Sequence, residues 1–215
     1  MTTVSEQTTH CPICARELTV RHIMSTNNFG GRDSDFRSRP IGYDPLHLAV
    51  SRCPDCGYAD YSHYFSEPRP LSDALKAQIR AELKPAGEHA DHKISHIYAA
   101  IAQIGKIREA NDEELANLYL SAAWCCADED DVFGEIAYRK QAIRHFESAL
   151  ANGTIRTGNL AAIHYLIGEL YRRIGDVENA HTWFNRALAM QPETGATPQF
   201  IEMAKRQRDN PSDSF

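Results

Sequence analysis

The sequence lacks a long hydrophobic run. No stretch of its 215 residues approaches the about 18 apolar residues that a membrane-spanning helix needs. The first seven residues also lack the basic and apolar regions of a secretory signal peptide. We therefore expect a cytoplasmic protein with no membrane association.

The sequence also lacks an excess of positive charge. Its 23 Lys and Arg residues are outnumbered by 29 Asp and Glu residues, and the net charge is -6. A phosphate backbone attracts a basic surface, so nucleic-acid binding is disfavoured. Gly-rich phosphate loops, Gly-x-Ser-x-Gly elbows and His-Glu-x-x-His motifs are missing. No reaction type is indicated, and we expect a protein that is not an enzyme.

Cysteine is not scarce, and four of the six cysteines form two Cys-x-x-Cys pairs. Cysteines of a cytoplasmic protein more often bind metal or pack in the core than form disulfides. A two-residue interval lets a tight turn direct both sulfur atoms at one ion, and four thiolates complete a tetrahedral zinc site. The sequence therefore predicts one structural Zn²⁺ per chain, with ligands Cys11, Cys14, Cys53 and Cys56.

The alternatives to this zinc site are weaker. The 38 residues between the pairs must fold back to bring them together. A redox Cys-x-x-Cys pair normally precedes a helix in an α/β setting, which is missing here. His10, His22 or His63 is an alternative ligand, but four thiolates already suffice. A closed site of four thiolates leaves no position for substrate, which favours a structural role.

The remaining two cysteines, Cys125 and Cys126, continue a helical apolar face. Buried free cysteine behaves as a small hydrophobic residue, so this pattern predicts core packing rather than redox chemistry.

The composition changes near residues 67–70. Residues 1–68 are rich in Gly, Pro, Ser and Asp, and we interpret them as a small β-containing, zinc-ribbon-like head. Alternating apolar residues predict one strand at Leu18, Val20 and His22 and another at Leu46, Leu48 and Val50. Residues 69–215 show helical periodicity and predict about seven helices, the first running from Ser72 to Lys84.

Residues 161–194 resemble a 34-residue tetratricopeptide repeat unit. The matching positions are Gly168, Tyr171, Ala180, Phe184, Ala187 and Pro192. A degenerate copy of the spacing lies 38 residues earlier, at Ala142, Phe146 and Ala149. We therefore predict a mainly α fold in which residues 69–215 form a stack of tetratricopeptide-like helix pairs. A simple helical bundle is the alternative.

Three further segments have two interpretations each. Residues 32–35, with Arg37 and Arg39, either bind an anion or a partner, or pair internally and tie the loop to the cysteine turns. His89, His92 and His96 share one side of a predicted helix, and either face solvent or bind a second metal. Residues 128–131 are acidic and are explained by the start of a helix rather than by calcium binding.

Several motifs resemble the bacterial family known as domain of unknown function 2225. They are Cys11-Pro12-Ile13-Cys14, Arg32-Asp33-Ser34-Asp35-Phe36, Tyr43-Asp44-Pro45, Cys53-Pro54-Asp55-Cys56-Gly57-Tyr58-Ala59, Phe65, Trp124 and Gly168-Glu169-Leu170-Tyr171-Arg172-Arg173. The resemblance implies a zinc-ribbon-like head joined to tetratricopeptide-type helices. It implies no activity, and it is interrupted by the His-rich segment at residues 85–97.

Taken together, these patterns favour an adaptor or scaffold that binds a protein or peptide in the groove of its helical repeats. Two other functions stay open. One is a metal-dependent enzyme or sensor with a second, His-containing site, and the other is a zinc-ribbon nucleic-acid-binding module.

Overall fold

The structure is a computed structural model that describes residues 2–83 and 93–214. Within these residues the N-terminal part contains four strands, β1 (Thr3–His10), β2 (Glu17–Ser25), β3 (Val50–Arg52) and β4 (Ala59–Tyr61). It also contains two short helices, α1 (Pro45–Leu48) and α2 (His63–Ser66). Seven longer helices follow: α3 (Asp73–Glu82), α4 (Ile94–Ile107), α5 (Asp112–Asp128), α6 (Val132–Ala151), α7 (Leu160–Arg173), α8 (Val177–Leu188) and α9 (Pro198–Asp209).

None of the described helices has both the length and the apolar character needed to cross a membrane.

The strands form two antiparallel hairpins. β1 pairs with β2 and β3 pairs with β4, and each hairpin carries a Cys-x-x-Cys turn at its tip. The strand predicted at residues 18–22 is confirmed as part of β2. β1, whose side chains are mostly exposed, was not predicted.

The second predicted strand is wrong over residues 46–48, where the chain forms helix α1. Asp44 caps this helix by accepting a hydrogen bond from the backbone amide of Leu46, and Pro45 occupies its first turn. Proline has the φ angle that the first turn of a helix requires. The helix-start signals therefore outweigh the apolar alternation that predicted a strand. Only Val50 of the predicted strand belongs to β3.

The prediction of a mainly α fold with a small β-containing head is confirmed. Ser72 caps α3 as expected, since its side chain accepts from the backbone amide of Leu75. The consecutive helices α5 and α6, and α7 and α8, pack against each other as pairs. A Cβ atom at Gly168 would lie 3.0 Å from the Phe184 ring and 3.2 Å from the Ala180 carbonyl oxygen, so glycine allows the close approach of α7 and α8. The assignment of these pairs to the tetratricopeptide class stays a prediction.

Head and helices share their buried apolar residues. A single connected cluster extends from Cys11 and Ile13 in the head, through Ile97 and Ile101 of α4, to Trp183 of α8. The division of the chain at residue 68 stays a prediction.

The loop between β2 and α1 reaches across to the helices. Its residue Asp35 is fully buried, and one carboxylate oxygen accepts from Trp124 Nε1 and Arg139 Nη1, each at 2.9 Å. Arg173 Nε lies 3.6 Å from the same oxygen. Arg37 extends the contact by donating to the backbone carbonyl of Trp124 at 2.9 Å. Ser34 and Asp35 are therefore paired with α5, α6 and α7, and Asp33 is paired with Arg39 of the loop, rather than with the cysteine turns.

A second buried carboxylate, Glu169 of α7, continues this network. It accepts hydrogen bonds from Ser34 of the loop, from Arg172 and Arg173 of α7, and from Gln207 of α9. The segment that follows α9 joins it, because the Arg173 guanidinium also donates to the backbone carbonyl of Asp213.

We predict that Asp35→Asn destabilises the protein by about 3 kcal/mol. The amide oxygen keeps both hydrogen bonds, but one of the two carboxylates that balance the buried guanidinium of Arg139 is lost and only Glu135 remains. Urea unfolding at pH 7 measures the change. Asp130→Asn is the matched control, since it removes one negative charge from an exposed position. Equal free energies of unfolding for the two variants would contradict the prediction.

The effect of Asp35→Asn should also depend on pH. Burial alone raises the pKa of Asp35, but the charges of Arg139 and Arg173 outweigh it, and the pKa lies below its ordinary value. The charge therefore contributes stability above the unfolded-state pKa of about 3.9, and this contribution is lost as the pH falls through the folded-state pKa. The difference between wild type and Asp35→Asn should be constant above about pH 5 and should shrink below pH 4.

Candidate metal centre

The sulfur atoms of Cys11, Cys14, Cys53 and Cys56 converge between the tips of the two hairpins. Cys11 Sγ lies 3.6 Å from Cys56 Sγ, and Cys14 Sγ lies 3.5 Å from Cys53 Sγ. All four sulfurs lie within 4.8 Å of one another, and none forms a disulfide. In a tetrahedral site with metal–sulfur bonds of about 2.3 Å, neighbouring sulfurs are about 3.8 Å apart. The four thiols are therefore placed to hold one metal ion.

Both Cys-x-x-Cys turns have the same backbone geometry. The amides of Ile13 and Cys14 donate to the sulfur of Cys11, and the equivalent amides after Cys53 donate to its sulfur. The residue that follows the second cysteine of each pair has a left-handed φ, which is 62° at Ala15 and 76° at Gly57. Gly57 adopts this conformation without a steric cost, whereas Ala15 adopts it at a steric cost.

The thiols perturb one another in the way expected of metal ligands. The thiol of Cys56 donates to the sulfur of Cys11 and lowers the pKa of Cys11 to about 5. The same hydrogen bond raises the pKa of Cys56, and burial raises the pKa of Cys53. Deprotonation of a second thiol so close to the first thiolate is opposed by the repulsion between their negative charges. A bound cation would compensate for that repulsion.

Side chains around the centre connect it to the rest of the fold. The Arg80 guanidinium on α3 donates to the backbone carbonyl of Ile13, which lies between the first two cysteines. Arg16 and Asp55 form an ion pair between the two turns, with 3.9 Å between Nε and Oδ2. The metal centre is thus held by the hairpins and by α3.

The three histidines considered as alternative ligands lie elsewhere. His10 faces Glu17, with Nε2 3.9 Å from a carboxylate oxygen, and His22 Nε2 lies 3.2 Å from the Ser66 hydroxyl. The ring of His63 packs against Tyr64. The described cluster therefore consists of sulfur ligands only.

A second group of possible ligands, Asp44, His47 and Asp128, was not predicted. Arg37 lies between its two carboxylates, with Nη2 2.8 Å from Asp44 and Nη1 2.9 Å from Asp128. His47 Nε2 lies 2.8 Å from Asp128. Arg37 thus already supplies the positive charge that a cation would bring. Asp128, which the sequence assigned to the start of a helix, instead pairs with the head loop.

The other segments considered in the sequence have the following positions. His89 and His92 lie outside the described residues, and His96 is exposed, as expected for the polar side of its helix. Asp131 caps α6 by accepting from the Gly134 amide, as expected for the acidic run. Cys125 and Cys126 are fully buried, and burial raises the pKa of both thiols, which agrees with core packing.

A cleft of about 580 Å³ lies between the head loop and the helices. Its apolar lining comes from the loop, from α1 and the residue after it, and from α5: Phe36, Pro40, Pro45, Leu46, Ala49 and Trp124. Three large apolar side chains adjoin lining residues in the sequence and are exposed. They are Phe29 (77 %), Ile41 (57 %) and Tyr43 (71 %). The fold thus leaves three large apolar side chains of the head uncovered.

Comparison with known proteins identifies the family. Residues 4–211 match the family described as an uncharacterised protein conserved in bacteria, DUF2225, so the chain belongs to this family. No curated protein and no solved structure is similar enough to this chain to be matched with it.

We predict that the double variant Cys53→Ser/Cys56→Ser loses its metal and that its head unfolds. Two hydroxyls replace two thiolates, and a structural metal contributes on the order of 10 kcal/mol to the folding of a small domain. Native mass spectrometry measures metal per chain, and limited proteolysis reports on residues 2–66.

The matched control removes two thiols from elsewhere in the chain. Cys125→Ala/Cys126→Ala should keep its metal, since both side chains pack in the core. Metal retained by the Ser variant, or lost from this control, would contradict the assignment.

We also predict that Ala15→Gly stabilises the metal-loaded protein by about 0.5–1 kcal/mol, because glycine adopts a positive φ without the steric cost that Ala15 bears. Gly57→Ala should destabilise it by about 1 kcal/mol for the opposite reason. The denaturation midpoint measures both effects. Shifts of the same sign would show that φ does not control stability at these turns.

Proposed function

We propose that this protein is a zinc-containing interaction protein that binds a protein partner through the apolar surface beside the head loop. The zinc is structural in this proposal. The observation that carries the proposal is the exposure of Phe29, Ile41 and Tyr43, each next in sequence to a residue that lines the apolar cleft. Large apolar side chains that the fold leaves in water are characteristic of protein–protein contacts.

Zinc is the metal that suits this set of ligands best. Four thiolates from two Cys-x-x-Cys turns are the usual ligands of structural zinc sites. They fill a tetrahedral shell and leave no coordination position for water or substrate. This supports a role in folding rather than in catalysis, and therefore a protein that is not an enzyme.

The position of the loop supports a binding site at the cleft rather than on the helical repeats. The sequence suggested a groove in the helical repeats, but the face on which α5, α6 and α7 converge is covered by the loop around Asp35. Asp35 and Ser34 are fully buried there. Removing the loop would leave the buried guanidinium of Arg139 with only Glu135 of its own helix as a partner, which is energetically costly. We therefore place the partner at the cleft, where Trp124 contributes the helical side.

The proposal predicts that partner capture depends on this surface. From a lysate of the source bacterium, wild type should capture one main partner. The triple variant Phe29→Ser/Ile41→Ser/Tyr43→Ser should capture at least about tenfold less of that protein. A few buried apolar side chains usually dominate the energy of an interface. Quantitative mass spectrometry of the captured proteins measures the ratio, and native mass spectrometry verifies one zinc per chain.

The control variant is Phe133→Ser on α6. Phe133 is 89 % exposed and does not line the cleft. It should capture the partner as wild type does. Equal recovery by the triple variant and by wild type would show that the partner does not use this surface, and a metal other than zinc would overturn the zinc assignment.

A further inference from the structure

Two close contacts among the four cysteine sulfurs run between the hairpins. Cys11 Sγ lies 3.6 Å from Cys56 Sγ, and Cys14 Sγ lies 3.5 Å from Cys53 Sγ. Each contact joins one cysteine of the first turn to one cysteine of the second. The S–S bond of a disulfide is about 2.05 Å long, so each pair would have to close by about 1.5 Å to form one.

Burial distinguishes the two members of each contact. Cys11 and Cys53 are buried, whereas Cys14 and Cys56 are partly exposed. A dissolved oxidant therefore reaches Cys14 and Cys56 first, and each of these has a buried sulfur beside it. An accessible cysteine with a second one next to it is the arrangement in which a sulfenic acid is converted into a disulfide.

The backbone of each turn opposes a disulfide within that turn. The amide of Ala15 donates to the carbonyl of Cys11 at 2.9 Å, and the amide of Gly57 donates to the carbonyl of Cys53 at 3.0 Å. These hydrogen bonds fix the backbone between the two cysteines of each pair. We therefore expect disulfides to form between the turns, where a small shift of the hairpin tips brings the sulfurs together.

Further contacts hold the two hairpin tips beside each other. Arg16 and Asp55 form an ion pair between the turns, and Ile13 and Tyr58 are buried in the same apolar cluster. Disulfides between the turns would thus join parts of the chain that are already neighbours. They would cross-link the tips in the way that a bound metal does.

We propose that the four cysteines form a redox-sensitive metal site, in which oxidation by a peroxide produces the disulfides Cys11–Cys56 and Cys14–Cys53 and releases the metal. The head stays cross-linked in both states, by the metal when the thiols are reduced and by two disulfides when they are oxidised. The inference rests on the zinc assignment of the proposed function, because it concerns the same four cysteines.

The reaction uses one molecule of hydrogen peroxide for each disulfide. The Cys56 thiolate attacks one peroxide oxygen, the O–O bond breaks, and hydroxide leaves, so that the sulfur becomes a sulfenic acid. The Cys11 thiolate attacks this sulfur and displaces a second hydroxide, which completes the S–S bond. The two sulfurs lose two electrons and the peroxide gains them, and Cys14 and Cys53 react in the same way. Since the thiolate is the form that binds metal, the oxidised site no longer holds it.

The experiment treats the reduced, zinc-loaded protein with a small excess of hydrogen peroxide. Native mass spectrometry measures zinc per chain before and after the treatment, and a tryptic digest without reduction locates the disulfides. Trypsin cuts after Arg16 and after Arg52, and neither turn contains Lys or Arg between its two cysteines. Disulfides between the turns keep the two cysteine peptides joined, and fragmentation of each peptide between its cysteines gives the pairing.

We expect each chain to lose its zinc ion and to gain two disulfides between the turns. Limited proteolysis should leave residues 2–66 as resistant as before the treatment, and dithiothreitol with added zinc should restore the starting state. Cys125 and Cys126 are the internal control, because both are fully buried and lie on a separate tryptic peptide. Their thiols should remain reduced.

Several results would overturn the inference. Separate cysteine peptides with internal disulfides would show that each turn reacts alone, and retained zinc or sulfinic acids would show that the site is not a switch. A head that becomes sensitive to protease would show that the disulfides do not replace the metal as a cross-link. A protein without zinc before the treatment would instead refute the zinc assignment, and with it the release, while the capture experiment tests partner binding separately.

Discussion

The buried contact between Asp35 and Arg139 is the interaction on which the arrangement of head and helices depends. Both side chains are almost completely inaccessible to water, and without the other Asp35 would keep only Arg173, at 3.6 Å, and Arg139 would keep only Glu135 of its own helix. Glu169 with Ser34 and Arg173 adds a second such contact beside it. Breaking either contact exposes or isolates charges in both parts of the chain. The loop and the helices are therefore coupled, and their shared apolar cluster couples them further.

The metal centre and the loop fix opposite ends of the head. Two hairpins of three to nine residues per strand bury little apolar surface, and a metal held by the four cysteines would supply a cross-link at their tips. The interval of 38 residues between the cysteine pairs is long for a zinc ribbon, and the structure shows how it is used. The chain leaves the first hairpin along β2, contacts α5, α6 and α7 through the loop, and returns through α1 to β3.

Features set by neighbouring residues were predictable from the sequence, and features set by distant residues were not. The cysteine turns, the Ser72 cap and the left-handed Gly57 follow from local backbone chemistry. Helix α1 was not predicted, because the apolar alternation suggested a strand at a position where the cap from Asp44 favours a helix. The partner of Asp35 lies 104 residues away, and nothing in the residues around Asp35 specifies which of seventeen arginines it meets.

The anchored loop also explains how the cleft keeps its shape. Phe36 has a φ of 69°, which costs a bulky residue free energy, yet its ring stacks on Tyr165 with centroids 5.1 Å apart. The buried contacts of Asp35 and Arg37, on either side of Phe36, hold the backbone in this conformation. The same ring lines the cleft. A surface held in place in this way would lose little conformational freedom on binding the proposed partner, so more of the contact energy would be available for affinity.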